Sequence, residues 1–132
     1  MKKSISIVVF LLMSNTILGS FIYVPMSHDQ QKNHLKAYGI VYFRLELGLK
    51  SKWLLNYDGG AFLIENNKII EKECTIRGVS YQLISDAKAK IILEQISSPS
   101  SNQDAVILEK APKIAVYSPK DKMPWDDAVT MV

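Results

Sequence analysis

Asn66-Asn67-Lys68-Ile69-Ile70-Glu71-Lys72-Glu73-Cys74-Thr75-Ile76-Arg77-Gly78-Val79-Ser80-Tyr81-Gln82-Leu83-Ile84-Ser85-Asp86 is the stretch on which the fold turns. Asparagine side chains accept the free N–H groups that open a helix, and glycine closes a helix in the left-handed conformation. The stretch therefore predicts a helix over Lys68 to Arg77, capped by Asn66-Asn67 and ended by Gly78. Val79 to Ile84 alternates apolar and polar residues, as a strand with one covered face does. Ser85 is placed to cap a further helix over Asp86 to Ile96, with Ala87, Ile91 and Ile92 in its buried stripe. This helix–strand–helix rhythm predicts βαβ units in a layered α/β domain, a sheet with flanking helices.

Working back towards the N-terminus, Ala61-Phe62-Leu63-Ile64 is a short apolar run, and Lys52 to Tyr57 reads as a strand with Trp53-Leu54-Leu55 at its core. Asp58-Gly59-Gly60 between them supplies positive φ. Two readings compete: a hairpin turned at Asp58-Gly59, or a glycine loop beyond a parallel strand, where open α/β sheets bind ligands. Upstream, Ser27-His28-Asp29-Gln30 fits a capping box, and Pro25 keeps the residue before it extended. Leu35, Tyr38, Tyr42, Leu45 and Leu49 recur at steps of three and four, which predicts a helix from about His28 to Leu47 with that stripe buried. Gly48 is placed to end it. Tyr23, Trp53, Tyr57 and Phe62 read as core aromatics.

At the start of the chain, Lys2-Lys3 precede a run from Ile5 to Met13 that is apolar except for Ser6, and small residues close at Gly19-Ser20. That layout predicts a secretory signal peptide over residues 1–20 and an exported, periplasmic or secreted protein. The competing reading is an uncleaved anchor running on through Phe21-Ile22-Tyr23-Val24, because the apolar core alone is shorter than the ~20 residues a span needs. The net charge of +3 includes both lysines of this segment, so the chain behind it is nearly neutral and gives no electrostatic ground for a nucleic-acid partner. The single cysteine, Cys74, makes no intramolecular disulfide. On its helix it reads as a small buried residue, the alternative being a thiol activated by Arg77.

Ser97-Ser98-Pro99-Ser100-Ser101-Asn102 is polar and contains proline. The expected organisation is an N-terminal α/β region over 21–96, a linker over 97–112 in which Ala105 to Leu108 forms a short extended piece, and the start of a second domain over 113–132. In that last part Ile114-Ala115-Val116-Tyr117 resembles a buried first strand. Pro124-Trp125-Asp126-Asp127 opens a helix whose acidic residues suit the N-terminal dipole. Val129 and Val132 begin an apolar face without continuation, so the natural protein is expected to run on past Val132.

No dinucleotide fingerprint, P-loop, zinc-protease helix, nucleophile elbow or CxxC occurs. No catalytic residue, metal ligand or cofactor is therefore assigned. His28 and His34 read as solvated helix residues. The binding candidates are loop residues: Tyr57, Asp58, Gly59 and Gly60 at the breaker, and Ser118 and Lys120 in a loop able to receive an anion.

Four runs carry a family resemblance. Asn33-His34-Leu35-Lys36-Ala37-Tyr38-Gly39, Trp53-Leu54-Leu55-Asn56-Tyr57-Asp58-Gly59-Gly60, Cys74-Thr75-Ile76-Arg77-Gly78-Val79-Ser80-Tyr81 and Lys113-Ile114-Ala115-Val116-Tyr117-Ser118-Pro119-Lys120 resemble, in this order, exported bacterial proteins labelled asparagine synthetase B. The resemblance implies a longer chain whose later part has the class I glutamine amidotransferase fold, with Ile114 to Val132 as its first strand and helix. Glutamine-dependent asparagine synthesis needs an N-terminal cysteine and a Ser-Gly-Gly-rich loop for ATP. This chain begins Met1-Lys2, has its cysteine mid-helix and lacks such a loop, so no catalytic residue carries over. Three functions remain as expectations: the leading part of an exported amidotransferase-like protein, a periplasmic ligand-binding or scaffold module, and the synthetase of the label. The partners expected are a small-molecule ligand, the rest of the chain itself, and a membrane only through the signal segment.

Overall fold

The computed structural model describes residues 20–113. The expected signal segment before Ser20, the strand Ile114–Tyr117 and the helix from Trp125 lie outside the described residues. In chain order the elements are β1 (Phe21–Val24), α1 (His34–Glu46), β2 (Ser51–Leu55), β3 (Phe62–Glu65), α2 (Lys68–Arg77), β4 (Gln82–Ile84), α3 (Asp86–Ile96) and β5 (Asp104–Leu108).

The two helices with local punctuation form where the sequence predicts. The Asn67 side chain accepts from Ile69 N–H at 2.8 Å, and Gly78 closes α2 at φ 67°. Ser85 Oγ accepts from Lys88 N–H and opens α3. On α3 the buried stripe is Ala89, Ile92 and Ile96, at i, i+3 and i+7, while Ala87 and Ile91 face solvent.

The first helix corrects its prediction twice. Ser27–Gln30 is not a capping box: Ser27 C=O accepts from the N–H groups of Gln30 and Gln31 in an isolated turn, and α1 begins only after Asn33. Its buried face is Ala37, Ile40, Val41, Arg44 and Leu45, and Leu35 is 87% exposed. That face has helical spacing too, but it includes an arginine. The guanidinium is accepted because Nε donates to Lys50 C=O at 2.9 Å and Nη1 to Glu65 C=O at 3.2 Å. Burial pulls the Arg44 pKa down and nearby Glu65 opposes that. Gly48, at φ 74°, follows the helix end as predicted.

The sheet order is β4-β1-β3-β2-β5, and every neighbouring pair is antiparallel. The expected βαβ units are present in split form. α1 joins β1 to β2, which run the same way but have β3 between them, and α2 joins β3 to β4 across β1. This is the ferredoxin-like arrangement of two interleaved units. β2 and β3 form a hairpin, which decides the Asp58-Gly59-Gly60 loop in favour of the turn reading. α3 then carries the chain from one edge of the sheet to the other. There β5, inside the stretch expected as linker, pairs with β2 along its whole length.

Alternation sends the side chains into two layers. On one face Ile22, Val24, Phe62 and Ile64 meet α1 and α2, with Ile70 and Cys74 buried in the same cluster. Trp53 stacks on Phe62 at 6.3 Å and Tyr38 meets it edge-on at 5.6 Å. On the other face Tyr23, Leu54, Leu63 and Ile84 meet α3 alone. The strand predicted over Val79–Ile84 is shorter, and its covered residue is Ile84 while Leu83 is half exposed, opposite to the predicted face.

Candidate functional site

Four of the six binding candidates lie in the β2–β3 connection. The backbone there turns through left-handed conformations at Asn56 (φ 56°), Asp58 (46°), Gly59 (75°) and Gly60 (89°). Gly59 is needed for more than its φ. A Cβ at that position would lie 2.5 Å from the carbonyl carbon and oxygen of Met26. The loop thus rests directly on the chain leaving β1, and Met26 N–H donates to Asp58 C=O at 3.0 Å.

The polar groups of the loop point inward to the protein. Tyr23 Oη donates to Asp58 Oδ2 at 2.6 Å, and Gln30 Nε2 approaches Oδ1 at 3.4 Å. Burial raises the Tyr23 pKa well above its ordinary value, and the Asp58 carboxylate raises it further. Trp53 Nε1 donates to Gly60 C=O at 3.0 Å. Tyr57 C=O accepts from both Gly60 and Ala61 N–H, and its ring packs against the α3-side cluster. Asn56 is tied to the loop after α3, donating from Nδ2 to Asn102 C=O and accepting from Gln103 Nε2. Chemically, the arrangement is a carboxylate held by a phenol and an amide, and its geometry fastens three chain segments together. Ser118 and Lys120 lie outside the described residues.

A second fastening has no signal in the residues around it. Gln31 is buried, and its amide treats the backbone of Ser80 as a strand would: Nε2 donates to Ser80 C=O at 3.2 Å and Oε1 accepts from Ser80 N–H at 3.3 Å. Asn33 Nδ2 adds a bond to Gly78 C=O at 2.7 Å. His34 Nε2 is 3.0 Å from Met26 C=O, and its ring lies 5.0 Å from that of His28. Among the described residues no group of three or more His, Cys, Asp or Glu side chains is arranged to hold a metal.

Cys74 is fully buried on α2, and burial pushes its thiol up to about 11 despite the opposing charge of Arg77. A thiol that stays protonated at neutral pH is a poor nucleophile, which removes the activated-thiol reading. A groove of about 560 Å³ opens beside α3, between Phe21, Ala89, Leu93 and Ala105, with Asp86, Lys90 and Asp104 also on its walls. A smaller one of about 180 Å³ lies between Phe21, Leu63, Lys52 and Ile107.

Phe21–Val24, which the anchor reading counts in its span, is a strand near the centre of the sheet. No helix among the described residues is long and apolar enough to cross a membrane. No protein-family model matches the chain, and no curated protein or solved structure is measurably similar to it.

Proposed function

We propose that the described domain is a non-catalytic leading module of an exported α/β protein of the kind labelled asparagine synthetase B, with an amidotransferase-like domain beginning near residue 113. In this reading the domain holds the rest of its chain in place and performs no chemistry of its own. The observation that supports it is the inward bonding of the 56–60 loop: Asp58, Trp53 and Asn56 all engage the protein itself. The fold by itself decides nothing about function.

The test uses the full-length protein. Ammonia release from glutamine is expected to depend on a cysteine downstream of Val132 and to survive Cys74→Ala. A Cys74→Ala protein that folds normally but loses the activity would defeat the proposal. The wider groove beside α3 favours a second reading, a ligand-binding module. That reading gains if a small molecule raises the melting temperature of wild type and not of Leu93→Trp, a change at a half-buried residue on the groove wall.

A further inference from the structure

Among the described residues β5 closes one edge of the sheet and β4 the other. Open backbone groups on an edge invite another strand, and edges are usually blunted by shortness, proline, a bulge or outward charges. β4 is only 3 residues long. β5 has 5 residues, neither proline nor bulge, and its only charge is at its first residue, Asp104. Which of its groups face outward follows from β2. Leu54 N–H donates to Ala61 C=O at 2.8 Å, towards β3. Bonding direction alternates along a strand, so Lys52 also faces β3, while Ser51, Trp53 and Leu55 face β5. Their partners Leu108, Val106 and Asp104 bond back to β2, and the backbone groups of Ala105 and Ile107 point away from the sheet. One bond agrees with this: Ala105 N–H has no strand to meet and is taken by the Asp104 side chain, Oδ1, at 2.7 Å. The Ile107 residue is 54% exposed.

We propose that a second copy of this chain pairs with the outer edge of β5, antiparallel, across a twofold axis at Ile107. The strand's own sequence selects this occupant. With the axis there, Ile107 faces Ile107, Val106 faces Leu108, Ala105 faces Glu109, and Asp104 faces Lys110. Outward-bonding residues thus meet outward-bonding residues, and apolar side chains meet apolar ones. Each end sets a carboxylate against an ammonium, a cross-strand pairing that stabilises, whereas like charges there would repel. Asp104 and Lys110 are both exposed, and neither has an ion-pair partner among the described residues. An axis one residue earlier would waste both charges, placing Asp104 against Leu108 and Lys110 against Asn102. On pairing, Ala105 N–H passes to Glu109 C=O of the second copy, which releases the Asp104 carboxylate to Lys110. The contact is the same patch on both copies and closes on itself, so two five-stranded sheets become continuous. The proposal does not rest on the family reading.

Sedimentation of the full chain tests it. Wild type should dimerise and Ile107→Pro should stay monomeric, because proline at 107 removes an outward N–H and spares the ladder to β2. A monomeric wild type, a folded Ile107→Pro protein that dimerises like wild type, or a complex whose second member is another protein would overturn the proposal. The charges test the register without proline. Asp104→Lys and Lys110→Asp should each weaken self-association at least roughly tenfold, and mixing the two variants should restore it, since both mixed pairs again oppose unlike charges. A mixture as weak as its components would count against the pairing. Cysteines give a third reading in a Cys74→Ala background. Ile107→Cys should oxidise to a covalent dimer. Ala105→Cys should not, its two copies lying about 13 Å apart at a strand rise of about 3.3 Å per residue. Crosslinking at 105 and not at 107 would refute the axis.

Discussion

The face under α1 and α2 and the face under α3 use the same kinds of side chain yet differ in how completely they are closed. On the first, Phe62 is held between Trp53 and Tyr38 and is 2% exposed. On the second, Tyr23, Leu63 and Leu54 are buried where α3 passes over them, and Ile107 on the same face is left half in solvent. Burial on a sheet is therefore decided by the number of helices laid on it and only secondarily by the residues themselves. The difference also locates tolerance. A void beneath two packed helices has nowhere to collapse, whereas a lone helix can settle onto a shortened side chain.

The sharpest way to break this comparison is a pair of truncations. Ile64→Ala, under α1 and α2, should cost about 3–5 kcal/mol in denaturant unfolding, and Ile92→Ala, under α3, about 2–3 kcal/mol. Equal losses would mean the two faces are equally rigid. Next in size is Gly59→Ala, which forces a side chain onto the Met26 carbonyl at a positive φ and should cost at least about 2 kcal/mol. A smaller loss would show that the loop moves off β1 without strain. The caps compare the faces at the level of single helices. Asn67→Ala and Ser85→Ala should each cost about 1 kcal/mol. The first should cost more, because its bond is 2.8 Å against 3.3 Å.

The mildest probe is pH, and it reads one group on each face. Cys74 and Tyr23 both have folded pKa values raised by burial. Each contributes stability that is fully present below its unfolded value and is lost as pH rises towards its folded one. Stability should hold up to about pH 9. It should then fall through about 11 as the Cys74 thiol of unfolded chains ionises first, with Tyr23 joining above about pH 10. Cys74→Ala should remove the earlier phase and Tyr23→Phe the later one in urea titrations across pH 8–11. Unchanged profiles would show that neither burial persists in solution.

What the sequence made legible was what its neighbours alone decide. Asn67, Gly78 and Ser85 cap through bonds two to four residues away, so α2 and α3 were readable to the residue. The stripe of α1 was not, because burying Arg44 depends on the carbonyls of Lys50 and Glu65, which only the folded chain brings near. The larger apolar stripe of Leu35, Tyr38 and Tyr42 therefore looked the better core. Antiparallel pairing was equally hidden: the helix–strand rhythm of a split unit and of a simple one is identical along the chain, and they differ only in which strand slips between. Of the site, the breaker Asp58-Gly59-Gly60 was visible as a loop. Its fastening role rests on Tyr23 in β1 and Met26 just beyond it, and nothing near Gln31 along the chain marks that side chain as buried.

The place of β1 in the sheet has a consequence for the order in which the molecule is made. β1 is the first described strand to be synthesised, and it occupies an interior position with β3 on one side and β4 on the other. Both neighbours emerge later, β4 after two helices have been formed. The strand that is oldest in time therefore waits for β3 on one edge and longer still, for β4, on the other, and its apolar Phe-Ile-Tyr-Val stretch lacks a sheet partner on that second edge throughout the wait. A chain halted before Gln82 keeps one edge of β1 open, and sheet edges of this composition recruit other chains. The hazard of this fold is thus concentrated in the interval between translating Val24 and translating Ile84.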